Sequence, residues 1–239
     1  MIKKPFHYHG NSIEAIVLDV DDTIVITQPI FEVSCETLVI THGYDPQPLQ
    51  SYIAAVKKGE QKIISPMEKA WKWLYPELTE KEAGRWVEIY QQIAKTHFYK
   101  PITDAEHFLN RCLNNVKLGF CTNELLEIAI HRLATAGINP DVYFPEHHQK
   151  GFVIINGKCI GHKKPDPKAL QYFIELWNIK PEELLMIGDM KTDFEVAQNI
   201  GAHGAIILSN SYTRQTMEHH VNGKYIFDSL TDLLMHLQQ

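Results

Sequence analysis

The sequence predicts an α/β fold: a parallel sheet covered by helices on both faces, with an all-α segment inserted after the first strand. Three observations predict it. Short apolar runs of strand length recur at 15–19, 117–122, 184–188 and 205–208, with a fainter one at 225–227. Segments with apolar residues at helical spacing separate the later runs, and such alternation implies parallel strands joined by helical crossovers. From 29 to 97, by contrast, almost every signal is helical.

Taken in order, the first run carries Ile16-Val17-Leu18, a continuous apolar stretch suited to a strand buried on both faces. Pro29 then opens a helical segment that ends at Gly43. Ser65-Pro66-Met67-Glu68 spells a capping box with proline in the first turn, and Thr79-x-x-Glu82 opens a third helix through Trp86, Ile89, Tyr90 and Ile93. Trp71, Trp73, Trp86 and Tyr90 are the expected core of this insert. The division expected is an α/β core of 1–26 with 98–239, and a helical domain of 27–97. Back in the core, a Thr103-x-x-Glu106 box starts a helix over 103–113 that buries Ala105, Phe108, Leu109, Cys112 and Leu113. Asn156-Gly157 predicts a hairpin turn within 151–161. Asp166 as N-cap and Pro167 at the first helical position start a helix with Leu170, Phe173, Ile174 and Trp177 on one face. Thr192 is the expected cap of a helix that runs to Ile200 and stops at Gly201.

The chain has 239 residues, 44% of them apolar and 10% aromatic, and a net charge of -6. This is the composition of an ordinary soluble globular protein. Without a clustered basic patch it does not suit nucleic acid, so a small molecule is the expected partner. The four cysteines, at 35, 112, 121 and 159, form no CxxC pair, which argues against a disulfide framework or structural zinc site. His147-His148 and His219-His220 fit no common ligand spacing. No stretch approaches the roughly 18 apolar residues of a membrane span, and the N-terminus shows no apolar signal region, so a cytoplasmic location is expected.

Asp19-Val20-Asp21-Asp22-Thr23 crowds three carboxylates behind the first strand. In an extended segment, side chains two apart face the same way, so Asp19 and Asp21 would converge while Asp22 points elsewhere. Two carboxylates in a sheltered cleft share a proton or face a cation, and a hard dication such as Mg2+ suits oxygen ligands. Later strands also end in polar residues: Thr122 and Asn123, then Lys163 and Lys164 before a helix, then Asp189 and Asp193. Ligands of open α/β sheets bind outside the carboxyl ends of the strands. Each group alone has a plainer reading: a solvated turn, a strand exit, a solvated lysine, a first-turn helix carboxylate. Gathered in one cleft, they make a phosphate site, with acids for a metal and a hydroxyl and an ammonium for phosphate oxygens.

In this order the motifs resemble those of the haloacid dehalogenase-like hydrolase superfamily, and the resemblance covers nearly the whole chain. Asp19-Val20-Asp21-Asp22-Thr23 matches the first motif, Thr122-Asn123 the second, Lys164-Pro165-Asp166-Pro167 the third, and Gly188-Asp189-Met190-Lys191-Thr192-Asp193 the fourth. The helical insert is similar to the cap of the subgroup containing phosphoglycolate phosphatase and β-phosphoglucomutase. The resemblance implies a Rossmann-like parallel core with an all-α cap, and a Mg2+-dependent phosphatase acting on a small phosphate ester through an aspartyl phosphate. Carried over position by position, it makes Asp19 the nucleophile and Asp21 the general acid and base. Thr122 and Asn123 would bind phosphate, and Lys164 would stabilise charge, with Lys163 as its rival. Asp19, Asp21 (through its carbonyl) and Asp189 would hold the metal, with Asp193 joining them or orienting Lys164. The family often has glycine at the position of Asp22, so Asp22 is expected to brace the loop without touching metal or phosphate. Lys57, Lys58, Lys62 and Arg85 are the charged candidates in the insert, each also suited to a solvated face.

A phosphomutase of the same superfamily is the nearest alternative. A dehalogenase generally lacks the second carboxylate supplied here by Asp21, and a phosphonatase would need a cap lysine that forms an imine. A signalling receiver domain shares acids, Thr and Lys at strand ends, but its phosphorylated Asp lies on a later strand. A non-catalytic binding protein would not need all four motifs filled. A monomer or homodimer is expected, with neither nucleic acid nor membrane as partner.

Overall fold

The structure, a computed structural model of the chain, describes residues 6–64, 66–144, 154–155, 158–159, 163–208 and 213–237. The chain divides into two compact units, Met1–Ile26 with Phe98–Gln239, and Thr27–His97.

The first unit is built on a five-stranded, fully parallel sheet. In chain order it begins with a hairpin, β1 (Phe6–Tyr8) and β2 (Asn11–Ile13), then β3 (Ala15–Leu18) and β4 (Val25–Ile26). After the insert come β5 (Lys100–Pro101), α5 (Ala105–Leu113), β6 (Lys117–Phe120), α6 (Leu126–Thr135) and α7 (Pro140–Tyr143). A short antiparallel pair follows, β7 (Ile154–Ile155) with β8 (Lys158–Cys159). The rest is α8 (Lys168–Trp177), β9 (Leu184–Gly188), α9 (Lys191–Ile200), β10 (His203–Ile207), α10 (Arg214–Glu218), β11 (Ile226–Phe227) and α11 (Leu230–His236). The sheet order is β11-β10-β9-β3-β6. The chain therefore steps from β3 to β6 on one side and returns to β9 on the other. The carboxyl ends of β3, β6 and β9 meet at that reversal, the position at which open α/β sheets bind ligands.

β3 and β9 are buried at every residue, as strands covered on both faces must be. On one face Val17, Met186, Phe173, Trp177 and Val196 share a core cluster. Burying one such side chain fully contributes about 1.5–3 kcal/mol. Gly201 ends α9 with φ +82°, the left-handed cap that glycine adopts without Cβ strain.

The helical unit holds α1 (Gln28–Thr41), α2 (Gln47–Lys57), α3 (Met67–Leu74) and α4 (Glu80–Thr96). The expected box at Thr79 is formed: Glu82 N donates to Thr79 Oγ1 at 3.2 Å, and Thr79 N to Glu82 Oε2 at 2.7 Å. Trp71 and Trp86 are buried with Cys35, Leu38, Val39 and Leu49, and Tyr90 packs against them. Trp73, expected in that core, is instead 56% exposed, because α3 turns its buried face through Trp71 and leaves position 73 on the opposite side. Lys57 pairs with Glu32 at 2.5 Å within the unit, and Lys58, Lys62 and Arg85 are exposed.

Other differences concern helix starts. Ser65, the expected cap of α3, lies outside the described residues, as do Asn156 and Gly157. α5 starts at Ala105 after Asp104, not at a Thr103 box, and Asp104 Oδ2 accepts instead from Thr231 N at 2.5 Å. Thr192 sits inside α9; the start is fastened by Asp193, which reaches back to Met190 N. Asp166 acts one residue earlier than a strict N-cap, its Oδ1 accepting from Lys168 N at 3.0 Å. The β1–β2 hairpin was not foreseen. Its turn at His9-Gly10 has positive φ at both residues, +49° and +84°, the dihedral sign of a type I′ turn.

Candidate active site

Asp19 leaves β3 with its backbone still in the sheet, its N–H donating to Ile187 O at 2.8 Å. The chain then turns sharply: Asp22 N donates to Val25 O at 2.7 Å, and Ile24 N and Val25 N both donate to Val20 O at 3.0 Å. This turn puts Asp22 in the left-handed region, φ +52°, which aspartate tolerates better than most residues. Asp22 is buried and does not line the cavity at the sheet edge; Asp19 and Asp21 both do.

That cavity, about 280 Å³, is also lined by Thr122, Asn123, Lys164 and Thr192. Thr122 follows β6, is buried, and accepts from Glu124 N at 3.0 Å through its Oγ1, leaving its own proton to donate. Asn123 spends both ends of its amide on one residue: Oδ1 accepts from Lys164 N at 2.9 Å, and Nδ2 donates to Lys164 O at 3.1 Å. Its side chain fixes the lysine backbone, which is a different task from the phosphate contact expected of it. Lys163 is exposed, whereas Lys164 is buried.

The Lys164 ammonium lies 2.9 Å from Asp19 Oδ1 and 2.6 Å from Asp193 Oδ1. Asp193 is fully buried, and its second oxygen accepts from Met190 N at 2.9 Å. Gly188 makes room for it, since a Cβ there would lie 2.2 Å from the Asp193 carboxylate. Ligand atoms of Asp19, Asp189 and Asp193 all lie within 4.8 Å of one another, so three buried carboxylates share one small volume. Asp21 is outside that trio.

One ammonium does not neutralise three carboxylates. Burial pushes the Asp19 carboxyl up from 3.8 to about 7 against the pull of Lys164, and Asp193 and Asp21 push the same way. Burial opposes the charge on Lys164 as well, yet Asp19 and Asp193 more than offset it and hold the ammonium well above its ordinary range. Lys164 stays charged and sits closer to Asp193, so the unbalanced negative charge falls on Asp19. A second cation beside Asp19 removes that imbalance, and an all-carboxylate cluster is the donor set of a hard dication.

Two further charged groups were not anticipated. Arg132, on α6, is 2% exposed. Its Nη1 donates to both Asp21 oxygens, at 2.6 and 2.7 Å, and its Nη2 lies 3.3 Å from Glu124 Oε2. Its guanidinium carbon stands 5.3 Å from the centre of the Tyr99 ring. Burial raises the pKa of Glu124, while Arg132 pulls it down and Asp21 pushes it up. The signal in the sequence was an arginine on the same helix face as Ile128, Ala129 and Leu133, all buried.

A phosphoglycolate phosphatase from Vibrio parahaemolyticus serotype O3:K6 is 26% identical over 93% of this chain and 95% of its own. A crystal structure of a predicted phosphoglycolate phosphatase from Haemophilus somnus superposes with a TM-score of 0.71 at 18% identity, covering 95% of this chain and 98% of its own. A putative β-phosphoglucomutase from Thermotoga maritima superposes at 0.68 with 16% identity, covering 95% and 100%. The model of the haloacid dehalogenase-like hydrolases matches residues 13–201, a span that takes in every strand end from Asp19 to Asp193, and the chain belongs to that family.

Proposed function

We propose that this hydrolase is a Mg2+-dependent phosphatase of small phosphate monoesters, working through a phosphorylated Asp19. The observation that carries the reading is the buried set Asp19–Lys164–Asp193 with Asp189 alongside, opening on a cavity that also presents Thr122 and Asp21. Asp19, Asp189 and the carbonyl of Asp21 would hold the metal. When bound, the ion supplies positive charge that keeps Asp19 ionised and draws phosphate oxygens toward it.

The protein's own groups then have distinct tasks. An Asp19 oxygen attacks phosphorus as the bond to the ester oxygen breaks, and the Asp21 carboxyl gives its proton to that leaving oxygen. Water next attacks the phosphorus of the aspartyl phosphate, and the Asp21 carboxylate takes a proton from it. The bond between phosphorus and Asp19 breaks, releasing inorganic phosphate and restoring both side chains. Thr122 donates its hydroxyl to the transferring group, and Lys164 offsets the charge that accumulates on it. Asp193 holds Lys164 in place, and Asn123 holds its backbone.

The curated relatives' name, phosphoglycolate phosphatase, makes a short phosphorylated carboxylate the first substrate to try. Hydrolysis of p-nitrophenyl phosphate should require Mg2+, stop with EDTA and disappear in Asp19→Asn. A panel of phosphorylated metabolites, read as kcat/KM, then selects the substrate. Undiminished turnover by Asp19→Asn would remove the reading.

A further inference from the structure

We propose that Arg132 is the positioning residue for Asp21, fixing the orientation in which its carboxyl meets the leaving oxygen. The inference rests on the phosphatase reading above and adds a residue to it. An arginine on the core face of α6 is costly, because a buried charge must be compensated by partners held in good geometry. Here the partners are identifiable. One Nη sits against both Asp21 oxygens, at 2.6 and 2.7 Å, which centres the carboxylate on that nitrogen and sets the direction in which the side chain points. Glu124 engages the other Nη at 3.3 Å, and the Tyr99 ring faces the guanidinium at 5.3 Å. The guanidinium is thus held from several directions, and it transmits that rigidity to Asp21.

Asp21 needs such a hold. Its side chain is 28% exposed on the cavity wall, where an aspartate otherwise samples three χ1 wells. A carboxylate offers about four lone-pair directions, so the two bonds from Arg132 leave others facing the cavity. A lysine cannot substitute, since the guanidinium holds Asp21 with one nitrogen and Glu124 with another at a fixed spacing, and an ammonium has a single nitrogen for both. The Thr122–Glu124 segment gains a second use as well, because Glu124 ties the Arg132 anchor to the loop that carries the phosphate-facing hydroxyl.

The test separates positioning from stability through the leaving group. An alkyl phosphate needs its departing oxygen protonated, whereas 2,4-dinitrophenyl phosphate does not. Arg132→Lys should lower kcat/KM on glycerol phosphate by about 30- to 100-fold, the scale of loss from a misplaced group. It should change kcat/KM on dinitrophenyl phosphate by less than about threefold; kcat/KM spans only the steps up to departure of the leaving group, so the later hydrolysis of the aspartyl phosphate, which also uses Asp21, does not enter. Asp21→Asn/Arg132→Lys should be no slower than Asp21→Asn alone. Equal losses on both esters, or losses that multiply in the double variant, would overturn the inference and leave the phosphatase reading intact. Should Arg132→Lys not fold by near-ultraviolet circular dichroism, Glu124→Gln decides: a smaller loss confined to the alkyl ester supports the inference, and a uniform loss or none overturns it. A wild type that hydrolyses neither ester refutes the phosphatase reading itself, and the inference falls with it.

Discussion

The charge imbalance around Asp19 makes a pH prediction that does not depend on turnover. In the metal-free protein the Asp19 carboxyl is raised from 3.8 to about 7, mainly by burial. A carboxyl raised on folding binds its proton more tightly in the folded state, so its contribution to stability is complete below pH 3.8 and is lost as pH rises through 7. Between pH 5 and pH 8 the linkage relation gives a loss of about 2.5 kcal/mol from this group. The assay is urea unfolding in EDTA at the two pH values, read by hydrogen exchange in β3 and β9 so that the first unit is followed by itself. Other groups titrate in this range, so Asp19→Asn serves as the reference: its pH dependence should be shallower than that of the wild type by about 2.5 kcal/mol. Saturating Mg2+ should abolish the difference in the wild type by holding Asp19 ionised, and should do much less for Asp19→Asn. Equal pH slopes in the two proteins in EDTA would refute the electrostatic argument, whatever the enzyme hydrolyses.

Three other outcomes follow from single contacts. Gly188→Ala places a Cβ 2.2 Å from the Asp193 carboxylate and should displace it from Lys164, lowering kcat by at least about a hundredfold, or about 2.7 kcal/mol of barrier, in a steady-state assay. Asp22→Gly relieves a left-handed aspartate outside the cavity lining, and kcat should stay within about tenfold of wild type, roughly 1.4 kcal/mol. Thr79→Ala removes one side of the α4 capping box and should cost the helical unit about 1 kcal/mol in urea unfolding, with the pH profile of the first unit unchanged.

The sheet was legible because its central strands, Ala15–Leu18 and Leu184–Gly188, are apolar at every position and stop at Asp19 and Asp189. The groups at the strand ends were legible because each motif lies where a strand must stop and a helix begin. Helix starts were less so. A Thr-x-x-Glu pattern forms a box at Thr79 but not at Thr103, since Asp104 there binds Thr231, 127 positions along the chain, and no local pattern reports such a partner. Trp73 was misassigned because aromatic content alone does not say which side of α3 a residue takes; Trp71, two positions earlier, takes the buried one. The role of Asn123 was hidden for the same reason as that of Arg132: both act on residues far away in sequence, Lys164 and Asp21.

Seen as charges, the site consists of two linked halves. Asp19 and Asp193 pair with Lys164, with the Asp189 carboxylate beside theirs, while Asp21 and Glu124 pair with Arg132. In the proposed reaction the first half faces the phosphoryl group and the second faces the leaving oxygen, so each cation serves one end of the bond that breaks. Three consecutive residues just past β6 join the halves: Thr122 presents its hydroxyl to the cavity, Asn123 clasps Lys164, and Glu124 holds Arg132. A disturbance of that loop should therefore affect both ends together. Asn123→Ala frees the Lys164 backbone, and because Lys164 lies on the phosphoryl side, its loss in kcat/KM should be about equal for alkyl and dinitrophenyl esters. Glu124→Gln loosens Arg132 and should discriminate between them. If the two variants gave the same leaving-group dependence, the site would have to be treated as one undivided charge cluster, and the assignment of separate cations to separate steps would not stand.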